Sequence, residues 1–454
     1  MDHNILNDIT TNIQYVNFIE SIYRLSFLQN PKNPYISFIF SKSFLAFGIF
    51  NFESLIFMHL VIMAAGEGSR MRPLTDTTPK PLLKICGKTI IEHNIEDIVM
   101  HFDAIFFIVK YKSEKFREYF GNEYHGKPIH YIEQIEQAGT GAAILSLKGK
   151  IQGAFVVVSG DDLYEASDIM NLANSSGYAT LCKRVDTPSD FGIFMVDASG
   201  KAIGIVEKPT DPSLGNLASI GNHKFDDQIF ADLEKIPLSP RGELELPDLI
   251  HQYIHEGKYS VVEATGRWIT IGYPWDLLRA NDAIIGSYTK KVVNNGGEIE
   301  DNVTIKGNIV IEEGAVLKNG TYIEGNVYFG KNATIGPNTY FRGNTSIGAN
   351  SKVGAFVELK NSYIGESSSI PHLSYFGDSV IGNHVNIGGG SKVANLRHDG
   401  ANIKSKVKDK IIDTGRRKLG TIIGDGAHLG IGTLIYPGRM IPTEGTTLPG
   451  EIVK

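Results

Sequence analysis

A short apolar run, His59-Leu60-Val61-Ile62-Met63, leads into Ala64-Ala65-Gly66-Glu67-Gly68-Ser69-Arg70-Met71-Arg72, and Lys80 follows between Pro79 and Pro81. Small residues let backbone N–H groups come close to phosphate oxygens, while Arg70, Arg72 and Lys80 supply charge to meet them. The flanking prolines preset the backbone at Lys80, so its ammonium is aimed with little freedom left to lose. Two familiar phosphate loops do not fit. The dinucleotide fingerprint needs a third glycine where Met71 stands, and the P-loop needs Gly-Lys-Ser/Thr where the chain has Gly68-Ser69-Arg70.

Further candidates follow. The run Ala154–Ser159 ends in Gly160-Asp161-Asp162, which puts a carboxylate at the carboxyl end of a strand, where open α/β sheets bind ligands. Of the two aspartates, Asp162 is the better candidate for capping the next helix. The segment Glu133–Ile144, EQIEQAGTGAAI, and later Gly192 and Glu207-Lys208-Pro209, complete a series that resembles the sugar-nucleotide pyrophosphorylases. That family carries Ala-Ala-Gly-x-Gly-Thr-Arg and Pro-Lys-Pro; here Ser69 replaces the threonine and keeps its hydroxyl.

The resemblance implies catalytic roles for Arg70 and Lys80 against the leaving pyrophosphate. It implies nucleotide contacts from Ala65, Gly66, Gly68, Gln134, Gly139 and Thr140, with UTP or dTTP as co-substrate. Gly192, Glu207, Lys208 and Ser219 would meet the sugar phosphate, and Asp161 would hold Mg²⁺. Two positions depart from the family: Ser219 stands where asparagine is usual, and Thr270 stands in the place of an aspartate that helps hold the metal. The second change removes a hard carboxylate ligand and leaves Asp161 to act with the nucleotide's phosphates.

The elements that must position these groups divide the chain in two. Residues 58–286 resemble an α/β nucleotidyltransferase domain built on a Rossmann-like mixed sheet. From Ile299 to Leu359 every sixth residue is apolar, with Gly or Asn in most intervening turns; the phase slips by one at Ile364 and again before Ile381, and returns at Ile423. A period of six suits neither a helix nor an alternating strand, but it suits a parallel β-helix, expected over 295–454. Resemblance to hexapeptide-repeat acyltransferases adds a left-handed coil and a homotrimer.

Within the coil, Val353–Asn402 resembles the acetyltransferase half of the bifunctional N-acetylglucosamine-1-phosphate uridylyltransferases. That puts Arg342 and Lys360 on the sugar phosphate, His372 as general base, Tyr375 and Asn386 on the amino sugar, and Gly389 near acetyl-CoA. Imidazole titrates near neutral pH, as deprotonation of an attacking amine requires. His372 is expected where the register slips. An inserted loop, 394–420, carries eight Lys or Arg against three Asp. It is expected beside the acetyl-transfer residues, facing coenzyme A, and its length resembles the archaeal branch of the family.

Composition narrows the field. A net charge of −6 with interspersed charges gives no basic field for nucleic acid. Cys86 and Cys182 alone suit neither a disulfide framework nor a zinc site. The apolar run Phe44–Phe52 falls short of the ~20 residues a bilayer span needs, so no membrane role is expected; residues 1–57 are read as a dispensable extension and Met58 as the first residue the fold needs. The expectation is a cytoplasmic bifunctional enzyme acting on small-molecule substrates. Two alternatives stay open: a single-activity uridylyl- or thymidylyltransferase whose coil only trimerises, and a non-catalytic regulatory subunit.

Overall fold

The structure, a computed structural model, describes residues 58–134 and 139–454. The expectations for residues 1–57, and residues 135–138 of the base-recognition segment, lie outside the described residues.

The longer strands of the first half are β1 (Met58–Ala64), β2 (Ile105–Val109), β3 (Lys127–Glu133), β4 (Ala154–Ser159), β5 (Tyr178–Arg184), β6 (Gly192–Val196), β7 (Ala202–Glu207), β8 (Leu217–Asp226) and β9 (Tyr259–Glu263). The helices are α1 (Ile90–Ile95), α2 (Ser113–Phe120), α3 (Thr140–Leu145), α4 (Ala166–Ala173), α5 (Ile229–Leu233), α6 (Leu246–His255) and α7 (Asp276–Gly286). The order β7-β6-β8-β4-β1-β2-β3 makes one mixed sheet, parallel from β4 to β3 and antiparallel from β4 outward, with β5 paired to β8 and β9 paired in parallel to β5. β2 reads Ile-Phe-Phe-Ile-Val and is buried at every position, because apolar clusters cover both sheet faces. β1 pairs with β4 in parallel from Met58↔Ala154 to Met63↔Ser159. That register brings the glycine loop after β1 and Gly160-Asp161 after β4 out side by side.

The second half is a left-handed parallel β-helix with three sheets of eight, seven and eight strands. In the second sheet Ile299 pairs with Leu317, Leu317 with Ile335, and Ile335 with Val353, so three six-residue units close one coil. Their side chains fill the interior, together with Phe329, Phe341 and Phe376, all fully buried. The two phase slips, Leu359 to Ile364 and Phe376 to Ile381, both fall at the corner between the third sheet and the first. His372 instead ends the strand Ser369–His372 of the second sheet, at the corner that leads to the third. The expectation that it sits at a slip is corrected: its own corner keeps the full six-residue step from Ile370 to Phe376.

The insertion is also more ordered than its composition suggests. Lys404–Val407 and Lys410–Asp413 form an antiparallel hairpin. Ile403, Val407 and Leu419 are buried in an apolar cluster with Leu277, Leu278 and Ile284 of α7 and with Tyr363, Val380 and Ile422 on the outer face of the coil. Alternation sends Lys404, Lys406 and Lys408 outward. One side of the basic loop therefore struts the coil against the α/β half.

Candidate active sites

At the carboxyl edge of the sheet the glycine loop turns tightly. Gly68 has φ +63°, its carbonyl accepts the Thr75 hydroxyl at 2.9 Å, and a Cβ there would lie 3.1 Å from Lys80 Cβ. Only glycine takes that turn without strain. Gly66 has open space around its Cα and is exposed, so backbone rather than side chain faces the cleft; Ala65 is half-buried against the sheet's apolar cluster.

Lys80 is 6% exposed, with Nζ 2.7 Å from Asp161 Oδ2 and 3.7 Å from Asp162 Oδ1. Ser159 donates its hydroxyl to Asp161 Oδ1 at 2.6 Å. Burial opposes ionisation of Asp161, but the Lys80 charge and the hydrogen bonds from Lys80 and Ser159 outweigh it and hold the carboxyl below its usual range. Asp162 shifts the other way, pushed up by burial and by the charge of Asp161.

Asp162 is not a helix cap, contrary to expectation: the N-cap position of α4 is held by Glu165, which makes no side-chain cap bond. Asp162 accepts Ile271 N–H at 2.9 Å and Trp268 Nε1–H at 3.3 Å, tying the loop after β9 to the end of β4. In that loop Thr270 Oγ1 and the Thr270 carbonyl both accept from Arg279 Nη2, at 2.9 and 2.6 Å. Tyr273 stacks on the buried Trp275 with ring centroids 4.8 Å apart and planes at 10°. The exposed Arg70 lies over Tyr273, its guanidinium carbon 5.5 Å from the ring centroid.

The remaining sequence candidates of this half sit around the same sheet. Gln134 donates from Nε2 to Gly139 O at 3.3 Å. Gly139 has φ +107°, and a Cβ there would stand 2.3 Å from Leu244 O, so no side chain fits. Thr140 Oγ1 accepts Leu246 N–H at 3.3 Å. Gly192 pairs with Glu207 across β6 and β7, with room for a Cβ only 2.9 Å from Glu207 Oε2. Lys208 follows, exposed and at φ +46°, and Ser219 lies on β8 where the ladder to β5 is interrupted before Asn222. These last groups occupy the antiparallel side of the sheet and form no ion pair with Lys80 or Asp161 among the described residues.

On the coil, ladder register builds a second site. Arg342 pairs with Lys360, and Glu358 with Tyr375. Arg342 Nε donates to Glu358 Oε1 at 2.6 Å. Lys360 Nζ lies 3.2 Å from Asp378 Oδ2, with side chains 16% and 5% exposed. Asn395 Nδ2 reaches both Asp378 and the Tyr375 hydroxyl. His372 is exposed, and a Cβ on Gly389 would stand 3.4 Å from His372 Cβ. The exposed Asn386 belongs to the strand stacked on that of His372, paired with Ser369.

The structure thus brings together Lys80 with Asp161, and Arg342 with Lys360 and Tyr375, with His372 beside Gly389 at the adjacent corner. Sequence reasoning missed Ser159, Trp268 and Tyr273 in the cleft, and Glu358, Asp378 and Asn395 on the coil. For Glu358 and Asp378 a signal existed in the stacking of coils: Tyr375 stands one coil on from Glu358, and Asp378 directly follows Gly377, which stands one coil on from Lys360. The cleft residues had no such signal, since Ser159 at the end of β4 and Trp268 and Tyr273 after β9 are about a hundred residues apart in the chain.

A nucleotidyl transferase family model matches residues 59–286, and a model of the GMPPB C-terminal domain matches residues 323–445. A relative from Methanocaldococcus jannaschii, named bifunctional protein GlmU, is 42% identical over 84% of this chain and 91% of its own length. The chain belongs to this family of bifunctional nucleotidyl- and acetyltransferases. A second member, from Sulfurisphaera tokodaii and named bifunctional sugar-1-phosphate nucleotidylyltransferase/acetyltransferase, is 41% identical over 87% of this chain and 97% of its own. Membership covers both halves, so the alternatives of a single-activity enzyme and of a non-catalytic subunit are not favoured.

Asp161 is ionised, half-exposed and an oxygen donor, which fits Mg²⁺ bound through one carboxylate plus substrate phosphates. Thr270 adds no charge there, and its oxygens are engaged by Arg279. No helix among the described residues is long and apolar enough to cross a membrane.

Proposed function

We propose that the enzyme makes UDP-N-acetylglucosamine in two transfers: acetyl-CoA acetylates glucosamine-1-phosphate on the coil, and UTP then uridylylates the N-acetylated sugar phosphate in the cleft. One observation carries this reading. A buried lysine set on an ionised aspartate beside a glycine loop lies in one half, and an exposed histidine beside two cations of one ladder lies in the other.

In acetylation the sugar amine attacks the thioester carbon, His372 takes the amine proton, and the C–S bond breaks to release coenzyme A. Arg342 and Lys360 hold the phosphate while Tyr375 and Asn386 hold the amino sugar. Gly389 lies beside His372, where a Cβ would come into van der Waals contact with the His372 Cβ, and its bare backbone leaves that space to the thioester. The outward lysines of the hairpin suit the phosphates of coenzyme A.

In uridylyl transfer a phosphate oxygen of the sugar attacks the α-phosphorus of UTP and the bond to the β-phosphate oxygen breaks, releasing pyrophosphate without a covalent intermediate. Backbone at Ala65, Gly66 and Gly68 approaches the phosphates, Arg70 and Lys80 neutralise the leaving charge, and Gln134, Gly139 and Thr140 receive the base and ribose. Gly192, Glu207, Lys208 and Ser219 receive the sugar. Asp161 would hold Mg²⁺, which when bound supplies Lewis-acid stabilisation at the phosphates.

An exposed apolar stripe runs along the corner of His372: Phe356, Leu373, Ile431 and Leu448, each 62–74% exposed. Such a patch favours a protein partner, and a homotrimer of the coil would lay a neighbouring copy beside each His372. A cytoplasmic setting suits the co-substrates and the two free thiols. Mass spectrometry of products from a panel of sugar phosphates, UTP, dTTP and acetyl-CoA tests the reading. Acetylated UDP-glucosamine as the main product supports it; nucleotidylation of glucose-1-phosphate alone refutes it.

A further inference from the structure

The stretch between Arg70 and Lys84, which carries Lys80, is held from outside its own half. Thr77 donates its hydroxyl to Asp425 Oδ2 in a short hydrogen bond. Thr443 Oγ1 lies 2.9 Å from Asp76 Oδ2 and 3.0 Å from Pro73 O, sharing its proton between them. At the far end, Tyr363 donates to Lys84 O at 2.7 Å, and Lys84 Nζ pairs with Glu366 Oε1 at 2.9 Å. Glu366, Asp425 and Thr443 all stand at one corner of the coil, between its first and second sheets, with the coil of Asn383 between those of Glu366 and Asp425.

This anchorage is built rather than incidental. Asp425 is 7% exposed, and its other oxygen accepts Asn383 N–H at 2.7 Å, so its carboxylate is fixed before it meets Thr77. Gly424 lets the surfaces close: a Cβ there would stand 2.8 Å from Pro73 Cβ. The seam is not filled throughout. A cavity of 270 Å³ lined by Thr78, Lys84, Tyr119, Tyr363, Glu366 and Asn383 lies beside the loop, so the loop's position there depends on discrete polar bonds. Asp76 also meets Arg72 at 3.3 Å, which links Thr443 to the glycine loop itself.

We propose that this coil corner, through Asp425 and Thr443, positions the Pro73–Lys84 loop and with it Lys80 for uridylyl transfer. The two residues touch no reacting atom; they act through the loop. The inference rests on the reading that Lys80 serves nucleotidyl transfer. The acetyl-transfer residues stand at a different corner, so the second activity is an internal control within the same molecule.

The experiment uses the full chain and measures, on one preparation, pyrophosphate release from UTP and coenzyme A release from acetyl-CoA, for wild type, Thr443→Val, Thr443→Ser and the double variant Thr443→Val/Asp425→Asn. Amide hydrogen exchange of residues 73–84 is followed in parallel. Sub-ångström to ångström displacement of a catalytic group predicts a fall in uridylyl kcat/KM of about ten- to a hundredfold in the double variant and less in Thr443→Val. Thr443→Ser recovers activity, acetyl kcat/KM stays within about twofold, and exchange accelerates in 73–84 before α7. Unchanged uridylyl transfer in the double variant overturns the proposal. So does a parallel fall of both activities, which marks general destabilisation. A wild type that acetylates but releases no pyrophosphate overturns the functional reading, and the proposal with it.

Discussion

Lys80 is 6% exposed and bonded to Asp161, which is bonded in turn to Ser159, whereas His372 stands in the open at a coil corner. The cleft is a set of groups that hold one another, delivered by β1, β4 and the loop after β9. The coil site is laid out on a ladder, where Arg342 and Lys360 are neighbours because one coil stacks on the next. In the cleft, position and chemistry depend on the same side chains. On the coil the backbone supplies position, and the exposed imidazole is left free for the proton transfer proposed for it.

Substitutions can break that contrast. The largest effect is expected from His372→Ala, which should lower acetyl kcat by about 10²–10⁴-fold with thermal unfolding unchanged and pyrophosphate release intact, measured by thiol and phosphate assays side by side. Next, Lys80→Ala and Asp161→Asn should each lower uridylyl kcat by about 10²–10³-fold. They should behave non-additively when combined, because the groups act as one pair. Full additivity would deny the mutual dependence of the cleft.

Lys360→Ala probes the part of the coil site that resembles the cleft, since it strands the nearly buried Asp378. A stability loss of about 3 kcal/mol in denaturant unfolding is expected, along with a raised KM for glucosamine-1-phosphate. Restoration of KM but not stability by Lys360→Arg would separate the two roles. The smallest effect should come from Tyr273→Leu, which removes the ring beneath Arg70 and should raise KM for UTP about two- to fivefold, with Tyr273→Phe close to wild type.

Much of this was legible because the relevant signals are local. The six-residue period announces the coil, since each inward residue must fill the same position in every turn, and the packed column Ile299, Leu317, Ile335, Val353 follows from it. The tight glycine turn was legible in the same way, since the left-handed φ of Gly68 serves a turn made by a few neighbouring residues. Asp162 was misread for the same reason. Its helix-capping role was the local option, while the bonds it makes to Trp268 and Ile271 come from more than a hundred residues away. His372 was named as a candidate and assigned to the wrong corner, because a period marks inward residues and not which turn is shortened.

The chain by itself determined what repeats and what is local: a phosphate loop of neither familiar kind, a β-helix, and the residue types for two transfers. Only the tertiary structure decided which side chains face one another across the cleft, that the basic insertion buries one side against α7, and that the loop carrying Lys80 is held by Asp425 and Thr443. Periodicity and turn chemistry act over a few residues and leave a trace in the order of amino acids. Pairings between segments hundreds of residues apart depend on where the folded backbone brings them, and a single sequence carries no mark of that distance.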